Sequence, residues 1–272
     1  MKYNATVRRR LGGLERQLLA YAQLRKLREL RSGQLLEPLG ITAKQERELL
    51  GRMAKAGLIA QVRRGLYVIP RELPLGDAWT PDEALAINTL MADQEGRYQV
   101  CGPNAFNRYG FTEQVPNRLY AYNNRLSGER LVGAVALVLI KVADSRLGNT
   151  EESTTREGFT LAYSSRVRTL VDAVYDWARF GSLPRGYLWI ARELAEGRVT
   201  ARALVDCTLR YGDRGTIRRI GALLEGEGTA PRLLKKLEAV LPATTSTIPW
   251  IPGRPKRGKV SRRWGLVLNR EV

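Results

Sequence analysis

The sequence predicts an α+β protein in three parts: an N-terminal helical unit closed by a hairpin, a mixed α/β middle region and a mainly helical C-terminal portion. Three observations predict it. Apolar residues recur at three- and four-residue steps from Leu14 to Met53 and again from Ser165 to Leu241, which is helical spacing. Short runs of branched and aromatic residues, at 58–69, 118–122 and 134–142, read instead as strands. The charge is uneven as well: 15 Lys/Arg against 5 Asp/Glu in residues 1–70, 9 against 12 in 71–160, and 21 against 10 in 161–272. The expected boundaries are residues 1–73, 74–163 and 164–272.

In the first part, Leu14, Leu18, Tyr21, Leu24 and Leu27 mark one amphipathic helix from Leu14 to Leu30. A short second helix is expected over Gly33 to Leu36, with Gly40 in the turn after it and Pro38 restricting Glu37. Thr42 and Gln45 form a capping box that opens a third helix, ended by Gly57. At 100° per residue, Leu49, Leu50 and Met53 share one face with Glu46 at its edge. Lys44, Glu48, Gly51 and Lys55 lie opposite, flanked by Arg47 and Arg52. Two strands follow, Leu58 to Val62 and Leu66 to Ile69, joined through Arg63, Arg64 and Gly65.

That order is what a winged helix-turn-helix requires, one helix for the major groove and a ribbon for flanking phosphate. Lys44, Gln45, Arg47 and Glu48 then stand where base edges are reached, Glu48 either accepting from cytosine or pairing with Lys44. Arg52, Lys55, Arg63 and Arg64 suit phosphates. Arg8, Arg9 and Arg10 precede the first helix as an accessory basic arm.

Pro70 to Pro74 with Gly76 reads as a linker, and Thr80-Pro81 opens a helix. The middle region then holds a helical segment at Pro103 to Tyr109, strands at Arg118 to Tyr122, Ala134 to Val142 and Phe159 to Ala162, and a polar loop from Asn149 to Glu157. Helices are expected from Ser165, near Pro184 to Glu196, Thr200 to Tyr211, Thr216 to Leu224 and Pro231 to Leu241. The chain closes on a proline-rich connector with Arg254, Lys256, Arg257, Lys259, Arg262 and Arg263, a second accessory basic patch, and a strand from Trp264 to Leu268.

A net charge of +18, concentrated at both ends, is the footprint of a polyanion-binding protein. The 272 residues contain no histidine, which removes imidazole triads, most zinc sites and the commonest general base. Cys101 and Cys207 sit in apolar or mixed stretches and read as buried thiols, so neither metal nor cofactor is expected. The longest apolar run, Leu131 to Ile140, is about half a bilayer span. A cytoplasmic protein with no membrane partner is expected. A Mg²⁺-dependent nuclease core would need more than Lys141 and Asp144 at the end of one strand, and Gly181-Ser182 lacks the paired aspartates of a nucleotidyltransferase.

The wing Arg64-Gly-Leu-Tyr-Val-Ile-Pro, the segment Gly102-Pro-Asn-Ala-Phe-Asn-Arg-Tyr-Gly-Phe-Thr-Glu-Gln-Val-Pro and the helix opening Ser165-Arg-Val-Arg-Thr-Leu-Val-Asp resemble the antitoxins of the AbiE abortive-infection toxin-antitoxin systems. The resemblance spans most of the chain. It implies an autorepressor that binds an inverted-repeat operator in its own promoter, with self-association on double-stranded DNA. It also implies that residues 74–272 neutralise a nucleotidyltransferase-like toxin in phage defence. The alternative expectation is a winged-helix transcription factor whose C-terminal part senses a ligand or oligomerises.

Overall fold

The structure is a computed structural model and describes residues 11–72, 79–243 and 245–269. It is a mixed α+β protein. The expected arm Arg8 to Arg10 and most of the linker after Pro70 lie outside the described residues.

The first unit contains α1 (Gly13–Leu24), β1 (Glu29–Arg31), α2 (Leu36–Leu39), α3 (Ala43–Lys55), β2 (Ala60–Arg63) and β3 (Leu66–Val68). Helix α1 is shorter than its periodicity predicts. Leu24 is left exposed, Lys26 turns into the left-handed region, and Leu30 enters a strand opposite Tyr67. Three residues of extended backbone inside an apolar repeat are indistinguishable from helix until their partner strand is known. The short helix also shifts, from 33–36 to 36–39, with Pro38 inside it. Gly40 closes it at φ 60°, as its place in the turn required.

The three strands form an antiparallel sheet in the order β1-β3-β2. Its central strand β3 is buried at all three positions. Tyr67 faces a core of Leu18, Leu30, Leu49, Leu50 and Met53, whereas Leu66 and Val68 face the opposite way. There they meet α4 (Glu83–Asp93) and the main sheet. One small sheet is thus shared between two cores, which fixes the first unit to the rest of the chain.

The main sheet is built from β4 (Tyr98–Val100), β5 (Leu119–Asn123), β6 (Gly128–Val132), β7 (Val135–Lys141), β8 (Thr150–Thr154) and β9 (Thr160–Ser164), with α5 (Gly102–Arg108) between the first two. The order is β6-β7-β5-β4-β9-β8. Pairs β5/β7 and β4/β9 are parallel and the rest antiparallel. Strand alternation sends Leu119 and Ala121 toward α4 and the small sheet, and Tyr120 and Tyr122 toward the helical side. The stretch Asn149 to Glu157, expected as a loop, holds edge strand β8. Its Thr-Glu-Glu-Ser-Thr sequence is polar because an edge strand here packs little on either face.

The helical part comprises α6 (Arg166–Tyr175), α7 (Trp177–Phe180), α8 (Arg185–Ala195), α9 (Ala201–Tyr211), α10 (Arg214–Gly226) and α11 (Pro231–Glu238). Ser165, Thr200 and Asp213 accept hydrogen bonds from first-turn amides of α6, α9 and α10. The basic connector is folded: β10 (Ile248–Pro249), β11 (Lys259–Ser261) and β12 (Leu266–Leu268) make a third small sheet. Trp264 anchors it by filling the space over Gly221, where an added Cβ would lie 2.2 Å from the indole. Among the described residues no helix is long and apolar enough to cross a membrane.

Candidate nucleic-acid interface

Helix α3 is held by both ends of its first turn. Thr42 Oγ1 accepts from the Gln45 amide at 3.3 Å, and Gln45 Oε1 accepts from the Thr42 amide at 2.9 Å. One residue further, Glu46 is 2% exposed and accepts from the amides of Gly33 at 2.7 Å and Leu35 at 3.0 Å. A carboxylate inside this unit therefore ties α3 to the approach of α2, where the sequence placed Glu46 only at the edge of the core. The spacing of Glu46 from Leu49, Leu50 and Met53 was the available signal.

With Glu46, Leu49, Leu50 and Met53 inward, Lys44, Gln45, Arg47, Glu48, Arg52 and Lys55 are all exposed. Arg47 Nε donates to the Ala43 carbonyl at 3.3 Å, so the guanidinium lies along the helix. Gly51 has open space where a Cβ would stand. Gly51→Ala should therefore raise folding stability by about 0.5–1 kcal/mol, measured by urea unfolding, because nothing opposes its helix propensity.

The two predicted hairpin arginines diverge. Arg64 is exposed at the β2–β3 turn beside Gly65, which adopts φ 78°. Arg63 instead reaches Asp93 at the end of α4, with Nε 2.6 Å from Oδ2 and Nη2 on Oδ1. Arg31 Nη1 joins the same carboxylate at 2.9 Å. The Arg63 hydrogen bond, with help from Gln94 and Arg31, holds the Asp93 carboxyl well below the usual carboxylate range. A depressed folded-state value means this contribution is present above the unfolded value near 3.9 and is lost only as pH falls through the lower folded one. The clamp should accordingly survive at pH 4. Asp93→Asn should loosen it and release Arg63 beside the hairpin, while Arg31 keeps Glu29 at 3.7 Å, raising affinity for any polyanion and steepening the salt dependence of heparin elution.

Of the C-terminal basic residues, Arg254, Lys256, Arg257 and Lys259 lie exposed on the β10–β11 connection and β11. Lys256 Nζ donates to the Thr247 carbonyl at 2.9 Å. Arg262 is exposed, but Arg263 is engaged by Glu225 at 2.6 Å and Glu238 at 2.9 Å, packing β11–β12 onto α10 and α11.

The helix opening at Ser165 is internal. Arg168 and Asp172 are 0% and 1% exposed, with Arg168 Nε 2.9 Å from Asp172 Oδ1 and Arg146 Nη2 joining it at 3.2 Å. Arg168 stacks on Tyr211 and Arg146 on Tyr175. Cys101 and Cys207 are buried free thiols nearby, their acidities reduced by burial, Cys207 to a value of about 12. Asp144 faces Asn124 and Arg97 at the surface.

No family model and no curated protein matches this chain. Among solved structures it is similar to the RV2827C protein from Mycobacterium tuberculosis, at a TM-score of 0.59 and 16% identity, over 97% of this chain and 94% of that one. The likeness establishes a shared fold over nearly the whole length of both chains.

Proposed function

We propose that residues 11–69 form a winged helix-turn-helix that binds double-stranded DNA, with α3 as the recognition helix and the β2–β3 turn as the wing. The observation that carries this reading is the outward face of α3. Lys44, Arg47, Arg52 and Lys55 are exposed together on a helix rigidly capped at its start, and Arg64 extends the same sign of charge onto the adjacent hairpin. None of these five side chains has a carboxylate within ion-pair distance among the described residues. Like charges left uncompensated at neighbouring positions of a folded surface are the footprint of a phosphate backbone.

The resemblance to AbiE antitoxins extends the reading to repression of the chain's own operon through an inverted repeat, and to neutralisation of a nucleotidyltransferase-like toxin by residues 74–272. Titration of the full chain on its own upstream DNA and on scrambled DNA, at physiological salt, tests the first part. Specific binding should be at least about a thousandfold tighter. Equal, salt-sensitive binding to both would overturn it. The neighbouring reading frame tests the second: a nucleotidyltransferase encoded there whose toxicity is relieved by co-expression of this chain supports neutralisation, and unrelieved toxicity, or no such reading frame, refutes it.

A further inference from the structure

On the helical side of the main sheet, away from α4, a cleft of about 340 Å³ opens between α5, the loop 112–117, β5, α7 and α8. Its walls include Phe106, Tyr120, Phe180 and Trp189. These rings fix one another. Phe106 lies 4.9 Å from Trp189 and meets Phe180 edge-on at 5.8 Å, Phe180 meets Tyr120 edge-on at 6.2 Å, and Trp189 stacks on Phe111 at 5.5 Å. Gly102 sits directly beneath Phe180 with φ 56°, and a Cβ there would come within 2.5 Å of the ring. The segment from Gly102 to Pro116, singled out in the sequence, thus builds one side of a preformed aromatic cleft.

Arg185 is the one charged residue among those lining it. It stands 6.0 Å from the Trp189 ring centre, donates to the Gly181 carbonyl at 3.4 Å, and has no carboxylate within ion-pair distance among the described residues. Gln114 and Asn117 supply amide groups, and Val115 at the rim is 77% exposed. The volume is at the small end of ligand sites, matching one ring system and a single polar substituent.

We propose that this cleft binds a small molecule with one planar aromatic ring system and one anionic group, phosphate or carboxylate. The ring lies among the aromatic walls and the anion on Arg185, whose guanidinium forms charge-assisted hydrogen bonds with either. The site is separate from α3 and does not depend on the DNA-binding reading.

Calorimetric titration of the full chain with adenosine 5′-monophosphate, indole-3-acetate, adenosine and inorganic phosphate tests it. At least one of the two aromatic anions should bind saturably, one per chain, and more than tenfold tighter than adenosine or phosphate. Which of the two binds identifies the source as nucleotide or aromatic acid. Arg185→Ala, at an exposed position in the first turn of α8, should weaken that binding at least tenfold with an unchanged circular dichroism spectrum. Arg202→Ala, elsewhere on the surface, should leave it unaltered. Absence of binding by both aromatic anions, equal binding of inorganic phosphate, or indifference to Arg185→Ala would overturn the proposal.

Discussion

Asp172→Ala is expected to lower folding stability by about 3–5 kcal/mol, a large share of the roughly 5–15 kcal/mol that holds a typical domain together. Asp172 Oδ1 receives both Arg168 and Arg146, and removing it strands a fully buried guanidinium with only the Gly148 carbonyl and the Tyr211 ring for company. Burial raises the Asp172 carboxyl above its ordinary value, while Arg168 and Arg146 draw it back. The network is costly even when intact. Asp172 Oδ2, Arg168 Nη2 and Arg146 Nε and Nη1 are buried without a hydrogen-bond partner. Replacing all three at once, as Arg146→Met, Arg168→Met and Asp172→Leu, should consequently recover most of the loss, since no unpaired charge then remains inside. Urea unfolding of the single and triple variants decides the matter. A single variant as stable as wild type would mean that water reaches this cluster freely.

The same cluster shows where sequence reasoning stops. Ser165 to Asp172 is legible as the opening of a helix, and its residues resemble those of a known family. Nothing in a one-dimensional pattern says that an arginine four residues before an aspartate points inward, because that spacing also describes an exposed helical ion pair. Helices α3, α6, α9 and α10 are readable because a capping residue and apolar periodicity agree over several turns, and α5, α8 and α11 because a proline stands at or beside the first helical position. The strands missed, β1, β4, β6, β8, β10 and β11, are two to five residues long, and β6 and β8 are polar edges of the main sheet whose identity comes from the strand they pair with. Among the candidate interface residues, the exposed set on α3 followed from its period. The diversion of Arg63 did not, since Asp93 is thirty residues away and on another element. Nor does the pattern separate Arg263 from the rest of the accessory basic patch, although Glu225 and Glu238 claim it.

Those differences sharpen what the arginines should do on DNA. Arg47 lies in the first two turns of α3 and Arg64 at the tip of the β2–β3 turn, so a recognition helix in the major groove would put the first near base edges and the second on phosphate. Arg47→Ala should then weaken binding to the operator by about 1–3 kcal/mol and change affinity for scrambled DNA much less. Arg64→Ala should weaken both alike and reduce the salt slope by roughly 1. Arg63→Ala should change the slope less than Arg64→Ala, because Asp93 already neutralises its charge, until Asp93→Asn is added to the background. Titrations of operator and scrambled duplexes at several salt concentrations separate these outcomes. If Arg47→Ala and Arg64→Ala lose affinity equally on both DNAs, α3 is a phosphate-binding surface, and sequence selection must lie elsewhere on the protein. The exposed basic connection between β10 and β11 would then be the next segment to substitute.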